Sequence, residues 1–276
     1  QSLLRTARSQ RHPLTPWIDY WELNLRLPQA KAQDLAAFYA RWPDSYVEDR
    51  LRNDWLLELG RRGDWAQMAA ELPRFRMRDD RELHCYEQLL RQQNGEDAEA
   101  VREAARQAWF AQRDADVGCG AMATQLYAAG VLRAEDVWRK ARLATDLNRP
   151  RAVRQALELL GASAVINFNE LYENPARYVA RAGRTDRRDL AELTALALIR
   201  LGASDPALAA TQMQDRWAAW LPDDLASWVW ASIGRQAAIR LQPEAADHYQ
   251  RAARKADERS WSDDTLVWKA RAALRA

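Results

Sequence analysis

Almost nothing in this sequence reads as a β-strand. Runs of Val, Ile and Thr alternating with polar residues, the period-two signature of a half-buried strand, are missing. Long apolar runs are missing too. The longest, such as Ala195–Ile199, fall far short of the ~18 residues that cross a bilayer, so no membrane span is expected. The first ten residues, QSLLRTARSQ, lack the apolar core of a secretion signal; a trimmed chain would look the same, and the compartment stays open. Histidine is confined to His12, His84 and His248. With no CxxC and no HxxxH, the tight local pairs that hold structural zinc are absent. There is no glycine-rich phosphate cradle and no GxSxG elbow. Asp114 and Asp116 before Gly118 imitate the start of a calcium loop, but its twelfth position, where a bidentate Glu belongs, is Gln125. No metal and no cofactor is therefore expected. A net charge of +2, from 41 basic and 39 acidic residues, lacks the clustered basic excess of a nucleic-acid binder.

Helical periodicity is what the sequence has in abundance. In Leu51–Trp65, LRNDWLLELGRRGDW, the residues Leu51, Trp55 and Leu59 recur at i, i+4 and i+8 and share one helical face. Gly60 and Gly63 carry a turn, and Asp64 then stands where a carboxylate meets the positive end of the next helix. Variants of this unit fill the chain. Pro28, Pro43, Pro73, Pro150, Pro175, Pro206, Pro222 and Pro243 fall between periodic segments, as Pro does at first helical turns. Gly60, Gly95, Gly130, Gly161, Gly183 and Gly202 sit near helix ends, as C-terminal caps would. The pattern predicts an all-α fold of about sixteen helices. Uniform spacing without a long linker predicts one continuous array over residues 1–276, a right-handed superhelix or solenoid of antiparallel helix pairs. Pro243–Glu258, PEAADHYQRAARKADE, resembles the second helix of a tetratricopeptide repeat, with Ala246 and Ala253 flanking Tyr249 for close approach. The apolar fraction of 48 % excludes a disordered chain. The thirteen Trp residues are expected chiefly as wedges in helix seams, with sugar stacking as the functional alternative.

Candidate chemistry is sparse. The acid pairs Asp79-Asp80, Asp223-Asp224 and Asp263-Asp264 lie near predicted helix starts, where carboxylates favour the dipole. Neighbours in sequence point to different sides of a helix, so no pair makes the facing carboxyls of a glycosidase. His84 beside Cys85 lacks a third partner for an activated thiol. Arg74, Arg76 and Arg78 alternate with Phe75 and Met77 and form the best basic patch, a weak candidate for glycan or anionic-polymer contact; Arg184, Arg187 and Arg188 form a second. Cys85 and Cys119 are equally consistent with a disulfide and with two buried thiols.

One stretch carries a family resemblance. Pro13-Leu14-Thr15-Pro16-Trp17-Ile18-Asp19-Tyr20 resembles the opening motif of soluble lytic murein transglycosylases. LRNDWLLELGRRGDW is similar to a helix pair of their superhelical region, and Cys85-Tyr86, Ala105 to Trp109, Cys119, Gly130 and Trp138 to Ala144 follow in similar order. The resemblance covers 13–148 and continues more weakly over 174–274. It implies a periplasmic protein acting on peptidoglycan, in which a separate lysozyme-like domain uses one Glu as acid and then base. That domain cleaves the MurNAc-β-1,4-GlcNAc bond to give 1,6-anhydroMurNAc. The resemblance also implies a Cys85–Cys119 disulfide. The Glu-Ser pair and Gly-Leu-Met-Gln element of that catalytic domain do not occur in these residues, so no catalytic residue carries over. The expectation is a non-catalytic superhelical region, incomplete at its C-terminal end, whose partners are glycan strands and its own catalytic domain. The alternative is a helical-repeat adaptor that binds a protein in its groove.

Overall fold

The computed structural model describes residues 12–275; the stretch read above for a secretion signal lies outside them. Among the described residues there are sixteen α-helices of two turns or more and no strand, in agreement with the all-α expectation. The chain gathers into two compact units, residues 1–112 with 116–131, and 113–115 with 132–276.

The first unit holds α1 (Thr15–Leu25), α2 (Ala32–Arg41), α3 (Tyr46–Arg62), α4 (Trp65–Glu71), α5 (Arg81–Gln93), α6 (Ala98–Ala111) and α7 (Val117–Ala128). Its centre is α3, which packs against α1, α4, α5 and α7. Leu51, Trp55 and Leu59 are buried on it as their spacing predicts. Gly63 alone ends the helix, at φ 68°, a left-handed conformation that favours glycine, while Gly60 lies inside α3 and not in the turn read from the sequence. The Asp64 carboxylate then accepts the Gln67 N–H at 3.2 Å and caps α4. Asp80 does the same for α5 through the Leu83 N–H at 3.0 Å. Tyr86 of α5 is the wedge of this unit. A Cβ at Gly60 of α3 would sit 2.6 Å from the Tyr86 ring, and one at Gly118 of α7 would sit 2.7 Å from it. Glycine at both positions lets the three helices close on one ring. Beside it the sulfurs of Cys85 and Cys119 are bonded, tying α5 to α7 with both residues buried. The Glu82 carboxylate accepts the Gly118 N–H at 2.9 Å, and burial raises its pKa above the ordinary value.

The second unit holds α8 (Ala134–Asp146), α9 (Pro150–Glu158), α10 (Ala162–Glu173), α11 (Pro175–Arg181), α12 (Arg188–Ser204), α13 (Pro206–Gln212), α14 (Asp223–Ile239), α15 (Ala245–Ala253) and α16 (Asp263–Ala273). After α13 the chain continues through a π turn at Met213–Trp217 and a last turn at Ala218–Trp220. Residues 191–199 of α12 are buried without interruption, as befits a helix wrapped on every side; α8, α10, α11, α13 and α14 pack against it. Two polar devices fix this unit. Buried Glu192 pairs with Arg142 of α8 and, at 2.9 Å, with Arg188, which also grips Asp224 of α14 with two hydrogen bonds. Asp146, buried at the end of α8, accepts Trp228 Nε1–H at 2.8 Å and the Ser232 hydroxyl, both from α14. Burial pushes its pKa up, although Ser232, Arg235 and Trp228 favour the charged form.

The α14–α15 seam departs from the repeat-like reading by one residue. Ala245 and Ala252, not Ala246 and Ala253, are buried beside Tyr249. The close approach comes from Gly234 of α14, whose Cβ position lies 3.1 Å from the Tyr249 ring. Ala245, Tyr249 and Ala252 stand at i, i+4 and i+7 and so share one helical face.

Candidate functional site

The sequence candidates for chemistry are absorbed by the scaffold to different degrees. Cys85 is a disulfide sulfur. His84 Nε2 lies 3.1 Å from the Arg78 carbonyl. His12 Nδ1 accepts the Leu14 N–H at 3.1 Å. His248 is buried and stacked on Trp230 at 5.5 Å, and burial lowers its pKa. Asp223 and Asp224 open α14, and Asp263 and Asp264 open α16. Asp223 pairs with Lys255, Asp224 with Arg188 and Asp264 with Arg235. Among the described residues no three His, Cys, Asp or Glu side chains gather as a metal site.

The first basic patch is largely tied into structure. Arg76 lies within ion-pair range of Asp44, Glu48 and Asp49, and Arg78 pairs with Glu87 while donating to the Phe75 and Leu72 carbonyls. Arg74 stays mostly in solvent, 4.0 Å from Glu71. In the second patch Arg187 closes on Asp189 and Arg188 on Glu192 and Asp224. Arg184 has no such partner among the described residues.

Tryptophan divides more sharply. Trp55, Trp109, Trp138, Trp217, Trp228, Trp230 and Trp261 are buried, so the packing role predominates. Trp21 is 57 % exposed and stands apart. It belongs to an aromatic face at the α1–α3 junction. Trp17 lies at the centre, 6.1 Å from Trp21, 5.9 Å from Tyr46 and 5.7 Å edge-on to Tyr20. Tyr46, in the first turn of α3, is 61 % exposed.

Local sequence fixes half of this face, because Trp17, Tyr20 and Trp21 recur at i, i+3 and i+4 on α1. Tertiary packing supplies Tyr46. The face is held from behind. Tyr20 donates its hydroxyl to Asp54 Oδ2 at 2.6 Å, and burial holds its pKa above the ordinary value. Buried Asp19 accepts Arg41 Nη1 at 2.9 Å and Trp42 Nε1 at 3.2 Å. Asn24 Nδ2 reaches the Tyr20 hydroxyl at 3.4 Å, and Arg50 lies 3.5 Å from Asp54. Exposed rings such as Trp21 and Tyr46 can stack on the flat face of a sugar. The spacing in the sequence pairs Trp17 with Trp21 but misses Tyr46, for which no local signal exists.

The class defined by these observations is an all-helical scaffold of packed antiparallel helices with an exposed aromatic face. No protein-family model and no curated protein sequence matches the chain. Solved structures do match it. One is an inactive mutant of the lytic transglycosylase Slt from Pseudomonas aeruginosa, with TM-score 0.63 and 23 % identity over 98 % of this chain and 44 % of that one. Another is the 70 kDa soluble lytic transglycosylase Slt70 from Escherichia coli, with TM-score 0.56, 17 % identity and coverage of 100 % and 44 %. A third is the 70-kDa soluble lytic transglycosylase in complex with bulgecin A, with TM-score 0.55, 15 % identity and the same coverage. The fold of this chain is thus the fold of soluble lytic transglycosylases over the part it matches. It spans less than half the length of those chains. No helix among the described residues is long and apolar enough to cross a membrane.

Proposed function

We propose that this chain is the non-catalytic helical region of a periplasmic soluble lytic transglycosylase. The parent enzyme would cleave the MurNAc-β-1,4-GlcNAc bond of peptidoglycan to give 1,6-anhydroMurNAc. The helical region holds glycan strands, positions the catalytic domain, or does both. The observation that carries this reading is the structural likeness along 98 % of the chain to a lytic transglycosylase. The opening motif around Trp17 and the Cys85–Cys119 pair point the same way. Within this reading the rings of Trp21 and Tyr46 stack on sugar, and arginine forks reach the carboxylates of the peptide stems.

Co-sedimentation of residues 1–276 with purified sacculi tests it. Saturable binding is expected, without release of anhydro-muropeptides. Trp21→Ala with Tyr46→Ala should weaken that binding about tenfold, in line with one to two lost stacking contacts at about 0.5–1.5 kcal/mol each. Cleavage by the chain alone would refute the scaffold reading. Absence of sacculus binding together with capture of one stoichiometric protein would favour the adaptor alternative.

A further inference from the structure

A second feature, in the other unit, is built for a different ligand. A cavity of about 350 Å³ opens between α10, α11 and the 182–187 loop that leads into α12. This volume lies within the usual range of small-ligand sites. Several donors on its wall are unspent. The Tyr178 ring is buried, 8 % exposed as a residue, while its hydroxyl is open to solvent and has no hydrogen-bond partner among the described residues. Arg184, on the same wall, has neither an ion pair nor a hydrogen bond among the described residues. The Thr185 hydroxyl oxygen accepts the Arg187 N–H at 3.1 Å, which leaves its proton to donate. The backbone N–H groups of Gly183, Arg184 and Thr185 also lack acceptors among the described residues.

The loop that carries these donors is braced from behind. Arg216 donates through Nη2 to the Val179 carbonyl at 3.0 Å and to the Ala182 carbonyl. Its guanidinium lies over Trp217 at 4.2 Å and Trp220 at 4.8 Å. A braced loop loses little entropy when a ligand arrives. The charges around the cavity balance: Glu170 pairs with Arg181 and Asp189 with Arg187, and Asp186, unpaired among the described residues, offsets Arg184, so an anion would be held by the donors and not by net charge.

We infer that this cavity binds the terminal carboxylate of a short peptide, with Arg184, Tyr178 and Thr185 donating to its oxygens. The planar fork of arginine fits a carboxylate with two parallel hydrogen bonds. The remaining wall suits the peptide behind that carboxylate. Asn167 spends its Nδ2 on the Ser163 carbonyl at 2.8 Å and keeps its carbonyl oxygen for a peptide N–H, and Leu190 and Ala182 offer apolar surface. The inference does not rest on the glycan reading: it concerns other residues in another unit and is measured without sacculi.

Amide-resolved NMR titration of the full chain tests it. The probes are N-acetyl-alanyl-alanine, the same peptide as its C-terminal amide, and inorganic phosphate. The free acid should give saturable shifts at Gly183, Arg184 and Thr185, and the amide none. Arg184→Gln should weaken the acid at least tenfold, and Tyr178→Phe about threefold to tenfold. Neither variant removes an existing contact of the side chain's polar atoms, so both should keep the parent spectrum elsewhere. Equal binding of acid and amide would overturn the inference. So would tighter saturation by phosphate than by the peptide acid, or unchanged affinity in both variants.

Discussion

Replacing Cys85 and Cys119 together by Ala removes the covalent tie between α5 and α7, and its cost can be worked from the chain. The two residues are 34 positions apart, and the intervening segment carries the whole of α6. Closing a loop of that length removes unfolded-state entropy equivalent to about 3.5–4 kcal/mol at 25 °C in the chain-entropy model. Both residues are buried, so truncation also leaves two sulfur-sized gaps, each adding up to about 1 kcal/mol. The expected loss is therefore about 4–5 kcal/mol, a large part of the stability of an ordinary domain. Urea unfolding followed by tryptophan fluorescence and by far-UV circular dichroism measures it. The midpoint should fall, and the slope m should rise, because the unlinked unfolded chain exposes more surface. Wild-type protein held in reductant separates the two contributions: it keeps the sulfurs and loses only the cross-link, so it should account for most of the change. Thiol titration of the oxidised protein in denaturant should find no free thiol. A midpoint shift worth under about 1 kcal/mol, or two titratable thiols, would refute the argument.

Other substitutions follow from the packing. Gly60→Ala places a methyl 2.6 Å from the Tyr86 ring and should destabilise by about 1–3 kcal/mol in urea melts; Tyr86→Leu in the same chain should recover part of it, a coupling that a double-mutant cycle reads. Glu192→Ala strips the partner from Arg142 inside the second unit and should cost about 3–5 kcal/mol, because it leaves a nearly buried cation uncompensated. For Asp146 the sign follows from its raised pKa: the folded protein holds this proton more tightly than the unfolded chain does. Its contribution is therefore greatest below the unfolded value, declines as pH rises from there to the folded value, and is flat beyond. Asp146→Asn removes that decline, so its stability relative to wild type should grow across the window in melts from about pH 3 to 7. Asp146→Ala, which leaves Trp228 Nε1–H and the Ser232 hydroxyl without their acceptor, should lose about 3–5 kcal/mol at the acid end of the window, a loss that shrinks as pH rises across it.

Much of the helical framework was legible because its signals are local. The 3.6-residue recurrence of Leu51, Trp55 and Leu59, the left-handed Gly63 and the capping Asp64 act within a few residues of one another, and each appears where the spacing puts it. The placement of the acid pairs at helix starts was legible for the same reason. The second basic patch was legible only as a cluster. Arg184, Arg187 and Arg188 look alike in sequence, and their difference depends on whether a carboxylate lies within reach. Asp224, 36 positions from Arg188, decides that for one of them. Tyr46 and Tyr178 carried no signal, because exposure and an unpartnered hydroxyl are properties of packing.

The amino-acid sequence determined on its own that the chain is helical, that about sixteen helices divide it, and that its tryptophans serve mainly as core. Hydrogen bonding and side-chain periodicity within a helix span only a few residues, so local order suffices to encode them. The tertiary structure alone decided which rings reach solvent, which arginines stay unpaired, which small residue lets two helices touch, and where a cavity opens. Those outcomes depend on meetings between positions dozens of residues apart, and burial, ion pairing and void space arise only when helices pack together.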